Sequence, residues 1–285
     1  MVYPSRQLLD KLADLLGPKG YSAEAEELTP WLADWRGRYH GNAAAMLSPA
    51  SREEVMEIVA LCASEGVSLV PQGGNTSMVG GATPPAEGEA LLLSLRRMNR
   101  IRSLDPDANL AICEAGVILA DLHSAALGLG RRFPLTLGSK GSATIGGLAS
   151  TNAGGTQVLR FGTMRGLVRG IEAVLPDGSL FNGLSPLKKD NRGYSLDHLL
   201  VGSEGTLGVI TRVVLRLLPR PRPPHTLVAS FTTGGTPRVC PDDGDRCTAE
   251  SCDPAAAMCI STPVADCSAG IASSASSTVS GSSMT

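Results

Sequence analysis

Three glycine-rich bends, each set against an apolar run, constrain this chain of 285 residues more than any other feature. The first is Pro71-Gln-Gly-Gly-Asn-Thr-Ser77 with its continuation to Gly81, entered from the apolar residues 67–70. The second covers residues 137–155 (LGSKGSATIGGLASTNAGG), and the third, residues 202–208 (GSEGTLG), feeds a β-branched run over 209–218. Gly73 and Gly74 remove side chains where backbone amides must approach a ligand closely. Successive bare N–H groups in such a turn make a nest suited to an anion. Asn75, Thr76 and Ser77 add neutral donors. The first bend has no Lys, which excludes the triphosphatase loop, and no G-x-G-x-x-G occurs, which excludes the Rossmann fingerprint. Taken singly, the first bend reads equally as a tight turn and the second as a linker. Yet Ile145, Leu148 and Ala149 are interleaved as if packed, which linkers rarely are. Glu204 reads as an acceptor for a ribose hydroxyl or a backbone amide, or as an ordinary turn acid. Three such bends in order, each beside a strand, point to one elongated ligand with a phosphate centre and both ends held by main chain.

The rest of the pattern supplies a frame. Residues 5–17 place Leu8, Leu9, Leu12, Leu15 and Leu16 at helical spacing, and Gly17-Pro18 stops that helix. Ser-Arg-Glu-Glu from Ser51 is a capping-box pattern that opens a helix to about residue 64. Strands are expected over 43–47, 67–70, 90–95, 101–104, 110–113, 167–175 and 209–218, with a helix over 119–127. Pro176-Asp177-Gly178 reads as a hairpin turn. Residues 138–155 are too rich in glycine and serine to sit wholly in regular structure. Strands and helices mix without β-α alternation, so the fold class is α+β and not a doubly wound parallel sheet. The expected layout is a helical segment at 1–40, a main domain at 41–220, a proline-rich linker at 221–235, a cysteine-rich segment at 236–267, and a disordered Ser/Thr-rich tail at 268–285.

Charge and cysteine usage narrow the classes. The net charge of −2 gives no footprint for nucleic acid or an anionic membrane surface, and no apolar run approaches membrane-spanning length. The amphipathic, acid-bearing N-terminus does not read as a secretory signal, which leads to an expected cytoplasmic location. Only Cys62 and Cys113 precede residue 230, whereas Cys240, Cys247, Cys252, Cys259 and Cys267 crowd together afterwards. The two parts thus carry different redox signatures. Disulfides are one reading of the second part; zinc fits poorly, because no C-x2-C pair exists and the spacers are acidic. No metal site is expected.

The motifs PQGGNTSMVGG (71–81), LGSKGSATIGGLASTNAGGTQVLRFGTMRG (137–166), LPDG (175–178) and KDNRGYSLDHLLVGSEGTLGVIT (189–211) occur in a characteristic order. Over residues 1–228 the chain resembles the FAD-binding domain of the vanillyl-alcohol oxidase and p-cresol methylhydroxylase superfamily. Its likeness is greatest to the D-2-hydroxyglutarate, D-lactate and glycolate dehydrogenase branch. The resemblance implies a two-subdomain FAD-binding domain. It implies that Pro71, Gly73, Gly74, Asn75, Thr76 and Ser77 hold the pyrophosphate. Leu137, Gly138, Ser139, Gly141, Ser142, Ile145 and Gly147 would line the path of the cofactor. Asn152, Ala153 and Gly154 would pass close to the isoalloxazine, with Glu204, Gly205 and Ile210 as the third contact. Some members attach flavin covalently through a His in the first bend; Asn75 stands there, and 137–147 contains no Cys, so non-covalent FAD is expected.

The implied reaction oxidises a D-2-hydroxy acid by hydride transfer to flavin, with electrons passing to a quinone, a cytochrome or an electron-transfer flavoprotein. The resemblance also implies a substrate-binding cap with a histidine-rich metal site. No H-x-G-x-G-N-x-H pattern occurs in these residues, and His40, His123, His198 and His225 read as surface or packing residues. The catalytic base is therefore not named. The cysteine-rich stretch resembles repeats of extracellular bacterial surface proteins and reads as joined by frameshift, fusion or assembly of unrelated sequence. A non-catalytic flavin-binding subunit or truncated remnant is the alternative function, and a secreted disulfide-bearing interaction protein is a third. Trp31, Trp35, Arg36, Arg38 and Tyr39 admit two readings: a carboxylate clamp, or aromatics packed under a surface arginine.

Overall fold

The computed structural model describes residues 2–185, 191, 193–220, 248–253 and 258–263. The chain divides into two compact units, Met1–Arg220 and Pro221–Thr285.

The first unit opens with α1 (Arg6–Leu16), whose Leu8, Leu12 and Leu16 recur at fourfold spacing and are all buried. Ser5 caps it by accepting from the Leu8 N–H at 3.1 Å, and Gly17 ends it at φ +61°. Next come β1 (Tyr21–Ser22), the short α2 (Ala25–Leu28), β2 (Met46–Leu47), α3 (Arg52–Glu65), β3 (Ser68–Gln72) and β4 (Ala90–Ser94). The expected cap of α3 is present. Ser51 accepts from the Glu54 N–H at 3.2 Å, while Glu54 reaches back to the Ala50 N–H at 2.7 Å, one residue before the usual capping-box partner. These strands make a four-stranded sheet in the order β1-β2-β4-β3, with β2 and β3 both parallel to β4. Strand β4 (ALLLS) is buried along its whole length, as a strand covered on both faces must be. Helices α1 and α3 close one face of it, through Leu8, Leu12, Val55 and Ile58 against Leu91 and Leu93.

Then follow β5 (Ile101–Asp105), β6 (Leu110–Glu114), α4 (Leu119–Gly128), β7 (Arg131–Arg132), α5 (Ile145–Ser150), α6 (Val158–Phe161), α7 (Met164–Leu167), β8 (Val168–Val174), β9 (Leu180–Asn182), α8 (Asp197–Leu200), β10 (Val209–Arg216) and β11 (Leu218–Pro219). A second sheet runs β5-β6-β10-β8-β9, antiparallel throughout, and β7 pairs with β11 apart from it. The hairpin β8–β9 turns where expected, with Gly178 at φ +83° and Asp177 accepting from Ser179 N–H and Oγ. Helices α4 and α5 cover this sheet through Leu119, Leu122, Ile145 and Leu148 against Ile171, Ile210 and Val213. The first core reaches across to it through Ala115, Val174 and Val209.

Helix α5 is an element the sequence reading did not place. IGGLAS has low intrinsic helix propensity because of its two glycines. Packing requires one of them: a Cβ on Gly146 would lie 2.6 Å from the Ala115 Cβ, so only glycine lets the helix approach the end of β6.

In the second unit, β12 (Thr248–Asp253) and β13 (Met258–Pro263) pair antiparallel, with Cys252 and Cys259 opposite each other in register. The expected linker (221–235) and Ser/Thr-rich tail (268–285), and most of the expected cysteine-rich segment, lie outside the described residues. Among the described residues no helix is long and apolar enough to cross a membrane.

Candidate functional site

All three bends converge on one cavity of about 770 Å³ between the two sheets. This lies within the range of small-molecule and cofactor sites, roughly 300–1,000 Å³. The first bend leaves the end of β3 and supplies Pro71, Gly73, Gly74, Asn75, Thr76 and Ser77. The second supplies Leu137, Gly138, Ser139, Gly147 and Ala153, and the third Glu204, Gly205 and Ile210. The remaining sequence candidates stand elsewhere. Ile145 is buried in the core beneath α5. Gly141, Ser142 and Gly154 are not in the cavity wall. Asn152 is behind the wall, where its Oδ1 accepts the Arg165 N–H at 2.9 Å.

Gly73 and Gly74 serve a purpose other than the one first expected. A Cβ on Gly74 would lie 1.8 Å from the Ser142 carbonyl oxygen, and one on Gly73 would lie 2.2 Å from Thr144 Oγ1. Their missing side chains let the first bend seat against the second. Gly138 and Gly141, by contrast, have open space where a Cβ would be.

That seating leaves a row of main-chain donors unused. Among the described residues, nothing accepts from the N–H groups of Gly73, Gly74, Asn75, Thr76 or Ser77. Main-chain donors at a cavity wall seldom go unpaired, and a consecutive set of them is the standard nest for a phosphate group. Hydroxyls of Thr76, Ser77, Ser139, Ser150 and Thr151 stand along the same wall, and Leu95, Ala115, Leu148, Val209 and Ile210 make it apolar elsewhere. No Lys or Arg belongs to the described wall, and Glu204 is its one ionisable residue. A pyrophosphate here meets neutral donors only. The residues present therefore fit a dinucleotide: phosphates at the amide row, hydroxyl-bearing ends along the polar wall, and a flat ring system against the apolar one.

Backbone strain is concentrated at the same place. Asn75, Asn152 and Glu204 adopt left-handed φ of 50°, 48° and 53°, one residue in each bend. Non-glycine residues seldom hold this conformation, and they cluster where function demands it.

Sequence reasoning missed much of the wall. Leu95 and Ala115 sit just beyond strand ends and carry no chemical signal. Thr144 caps α5, accepting from the Gly147 N–H at 3.4 Å, and was hidden along with that helix. Trp35 reaches the wall from the 33–40 loop. Asp34 builds that loop, accepting from the N–H groups of Arg38, Tyr39 and Arg36 at 2.6, 2.8 and 3.2 Å. Those donors, Tyr39 foremost, hold its carboxyl below the usual carboxylate range against the opposing effect of burial. Asn75 ties the loop to the first bend, donating to the Ala33 carbonyl at 2.7 Å. Trp31 packs under Arg96, with 3.4 Å from guanidinium carbon to ring centre, which is the packing reading for that tryptophan.

Comparison with known proteins names the family of the domain. Residues 43–183 match the FAD binding domain family. The chain carries an FAD-binding domain. It is 41% identical over 207 residues to the mitochondrial D-2-hydroxyglutarate dehydrogenase of Arabidopsis thaliana, covering 73% of this chain and 37% of that protein. To the Bos taurus enzyme of the same name it is 44% identical over 198 residues, covering 70% and 36%. The chain thus spans less than two-fifths of these relatives. Among solved structures, an alkyldihydroxyacetonephosphate synthase superimposes with a TM-score of 0.69 at 22% identity, over 78% of this chain and 42% of that one, a likeness of fold.

The expectation of a cytoplasmic location is overturned, since both relatives are mitochondrial. It rested on the amphipathic N-terminus not resembling a secretory signal. That segment is α1, whose apolar face is consumed by the core of the FAD-binding domain, so its pattern carries no address.

Proposed function

We propose that this chain provides the flavin half of an FAD-dependent dehydrogenase acting on D-2-hydroxy acids. The observation that carries the reading is the row of amides at 73–77, unpaired among the described residues, in a described wall without cations, within a domain closely similar to D-2-hydroxyglutarate dehydrogenases. In it, the amides of Gly73 to Ser77 hold the pyrophosphate, with the Thr76 and Ser77 hydroxyls beside them. Leu137, Gly138, Ser139 and Gly147 follow the cofactor along the second bend, and Gly141 and Ser142 support that bend from behind. Ala153, Glu204, Gly205 and Ile210 bound the far end, with the Glu204 carboxylate placed to accept from a ribose hydroxyl. Bound flavin supplies acceptance of a hydride from the α-carbon of the substrate. The apolar wall of Leu95, Leu148 and Val209 excludes water from that end. Electrons then pass to a quinone, a cytochrome or an electron-transfer flavoprotein. The FAD-binding unit in this reading ends at Arg220.

Anaerobic addition of D-2-hydroxyglutarate to the FAD-loaded protein tests the activity. Loss of the flavin band near about 450 nm is expected. A band that persists, in protein that nonetheless holds FAD, supports the non-catalytic subunit instead. That alternative draws on the wall itself, which offers Glu204 as its one ionisable group.

Non-covalent attachment follows from Asn75, whose amide is occupied by the Ala33 carbonyl and has no nucleophilic atom to offer flavin. After acid precipitation the yellow colour is expected in the supernatant; a yellow pellet contradicts the assignment.

A further inference from the structure

We propose that Arg165 is a positioning residue that locks the second and third bends into one preformed wall and so fixes how the cofactor lies against them. This rests on the FAD reading above and adds a residue to it.

Arg165 belongs to α7 and does not line the cavity. Its own N–H donates to Asn152 Oδ1 at 2.9 Å, on the second bend. Its guanidinium donates to the Val201 carbonyl at 2.5 Å and to the His198 carbonyl, at the entrance to the third. One residue therefore holds both bends, through main chain on one side and side chain on the other. The bends also touch directly: the Glu204 N–H donates to the Ser150 carbonyl at 2.9 Å, and the Gly202 N–H to the Ala149 carbonyl at 3.1 Å. The guanidinium runs through the space that opens at Gly202, where a Cβ would stand 3.2 Å from Arg165 Nη2 and 3.3 Å from Asn152 Cβ.

What Arg165 holds is the strained part of the wall. Asn152 and Glu204 are both left-handed, and such residues persist only where their surroundings over-determine them. Wall residues adjoin the anchor points on both sides: Thr151 and Ala153 beside Asn152, and Glu204 and Gly205 after Val201. No carboxylate among the described residues pairs with Arg165, so its charge is spent on carbonyl oxygens alone. A guanidinium suits this work because its donors are fixed in one plane and can bridge two carbonyls at once; a lysine presents a single ammonium. Without the bridge, the two bends are held together by those two main-chain bonds alone, and more of the ordering of the site falls to the cofactor at a cost in affinity.

The test uses the full chain with FAD as probe. Dissociation constants are read by flavin fluorescence, the ring environment by visible circular dichroism at saturating FAD, and folding by the thermal midpoint without cofactor. Arg165→Met is expected to weaken FAD binding about tenfold or more, the effect of losing charged hydrogen bonds, and to alter the visible dichroism. Arg165→Lys is expected to recover part of both. Arg102→Met, which breaks the pair with Glu114, neither residue lining the cavity, serves as the stability control; it is expected to lower the midpoint and leave affinity and dichroism unchanged. If Arg165→Met does not fold, Arg165→Lys is read against the same control, and a weakened affinity with altered dichroism supports the proposal. An Arg165 variant with affinity within about twofold of wild type and the same dichroism overturns it, whatever its midpoint. Wild-type protein that takes up no FAD overturns the underlying reading as well, which separates the two failures.

Discussion

Gly74→Ala is expected to weaken FAD binding about 10- to 100-fold while leaving the two sheets folded. The added methyl would lie 1.8 Å from the Ser142 oxygen, 2.7 Å from the Ser142 carbonyl carbon and 3.2 Å from the Ala143 Cα. All three are main-chain atoms, so no rotamer change relieves the clash, and the first bend must lift off the second. Such overpacking costs about 1–3 kcal/mol, and each 1.4 kcal/mol taken from the binding-competent arrangement is a factor of about ten. The penalty falls on the amides of 73–77, which lose their common aim. Two further substitutions calibrate the result. Gly73→Ala meets Thr144 Oγ1, a side-chain atom that can rotate away by giving up the cap on Gly147, so a smaller loss is expected. Gly138→Ala meets nothing within 4 Å, so its effect on the cofactor-free protein is expected to be negligible, and any loss of affinity there reports contact with the ligand itself. Isothermal titration with FAD, beside far-ultraviolet circular dichroism of each variant, measures both quantities. A Gly74→Ala protein that binds FAD as wild type does would show that the two bends need not touch.

How much of this was legible beforehand follows from where the physics resides. The first bend was, because its information is local: Gly73, Gly74 and the hydroxyls beside them announce an exposed main chain, and all the residues named there reach the cavity. The purpose of the glycines was not, because it depends on Ser142 and Thr144, some 70 residues away. The second bend was read in part with the wrong face: Leu137, Gly138, Ser139, Gly147 and Ala153 reach the wall, the other residues named there do not. Ile145 was assigned to the cofactor path, yet it points into the core, since the helical phase of IGGLAS was hidden by its glycines. Asn152 was placed near the ligand and is found bracing Arg165, a role set by a left-handed φ that sequence does not print. The leucine spacing of α1 and the cap of α3 were readable, being properties of single helices. The inference from α1 to location failed because it rested only on the lack of a secretory pattern, and a helix whose apolar face is taken up by the core says nothing of location.

The other large effect expected is on stability, at Glu172. Its side chain is fully buried on β8, where Oε2 accepts from Arg52 Nη1 at 2.9 Å and Oε1 from Thr211 Oγ1 at 2.9 Å. Arg212 Nη1 also donates to Oε2, at 3.5 Å, while its Nε lies 3.4 Å from Oε1 without the geometry of a hydrogen bond. Arg52 belongs to α3, on the first sheet, and Thr211 and Arg212 to β10, on the second; the carboxylate therefore pins the two layers that frame the cavity. Replacing Glu172 by Ala removes one negative charge: Arg212 loses its acceptor, Arg52 is left with Glu53 alone, and the Thr211 hydroxyl keeps only the main-chain carbonyl of residue 172. Breaking a buried pair in this way costs about 3–5 kcal/mol. The lower end applies here, because Arg52 and Arg212 keep 32% and 23% of their side-chain exposure and can regain water. At about 2–4 °C per kcal/mol for a domain of this size, the midpoint should fall by roughly 6–12 °C. Replacing the group as a whole, with Glu172→Leu, Arg52→Met and Arg212→Met together, is expected to recover most of the loss, since no buried charge then remains unpaired and Glu53, which loses Arg52, is exposed. Thermal and urea unfolding followed by circular dichroism decide the matter. A loss below about 1 kcal/mol for Glu172→Ala would place this cluster with exposed ion pairs, and the attachment of α3 to the second sheet would then rest on apolar contact alone.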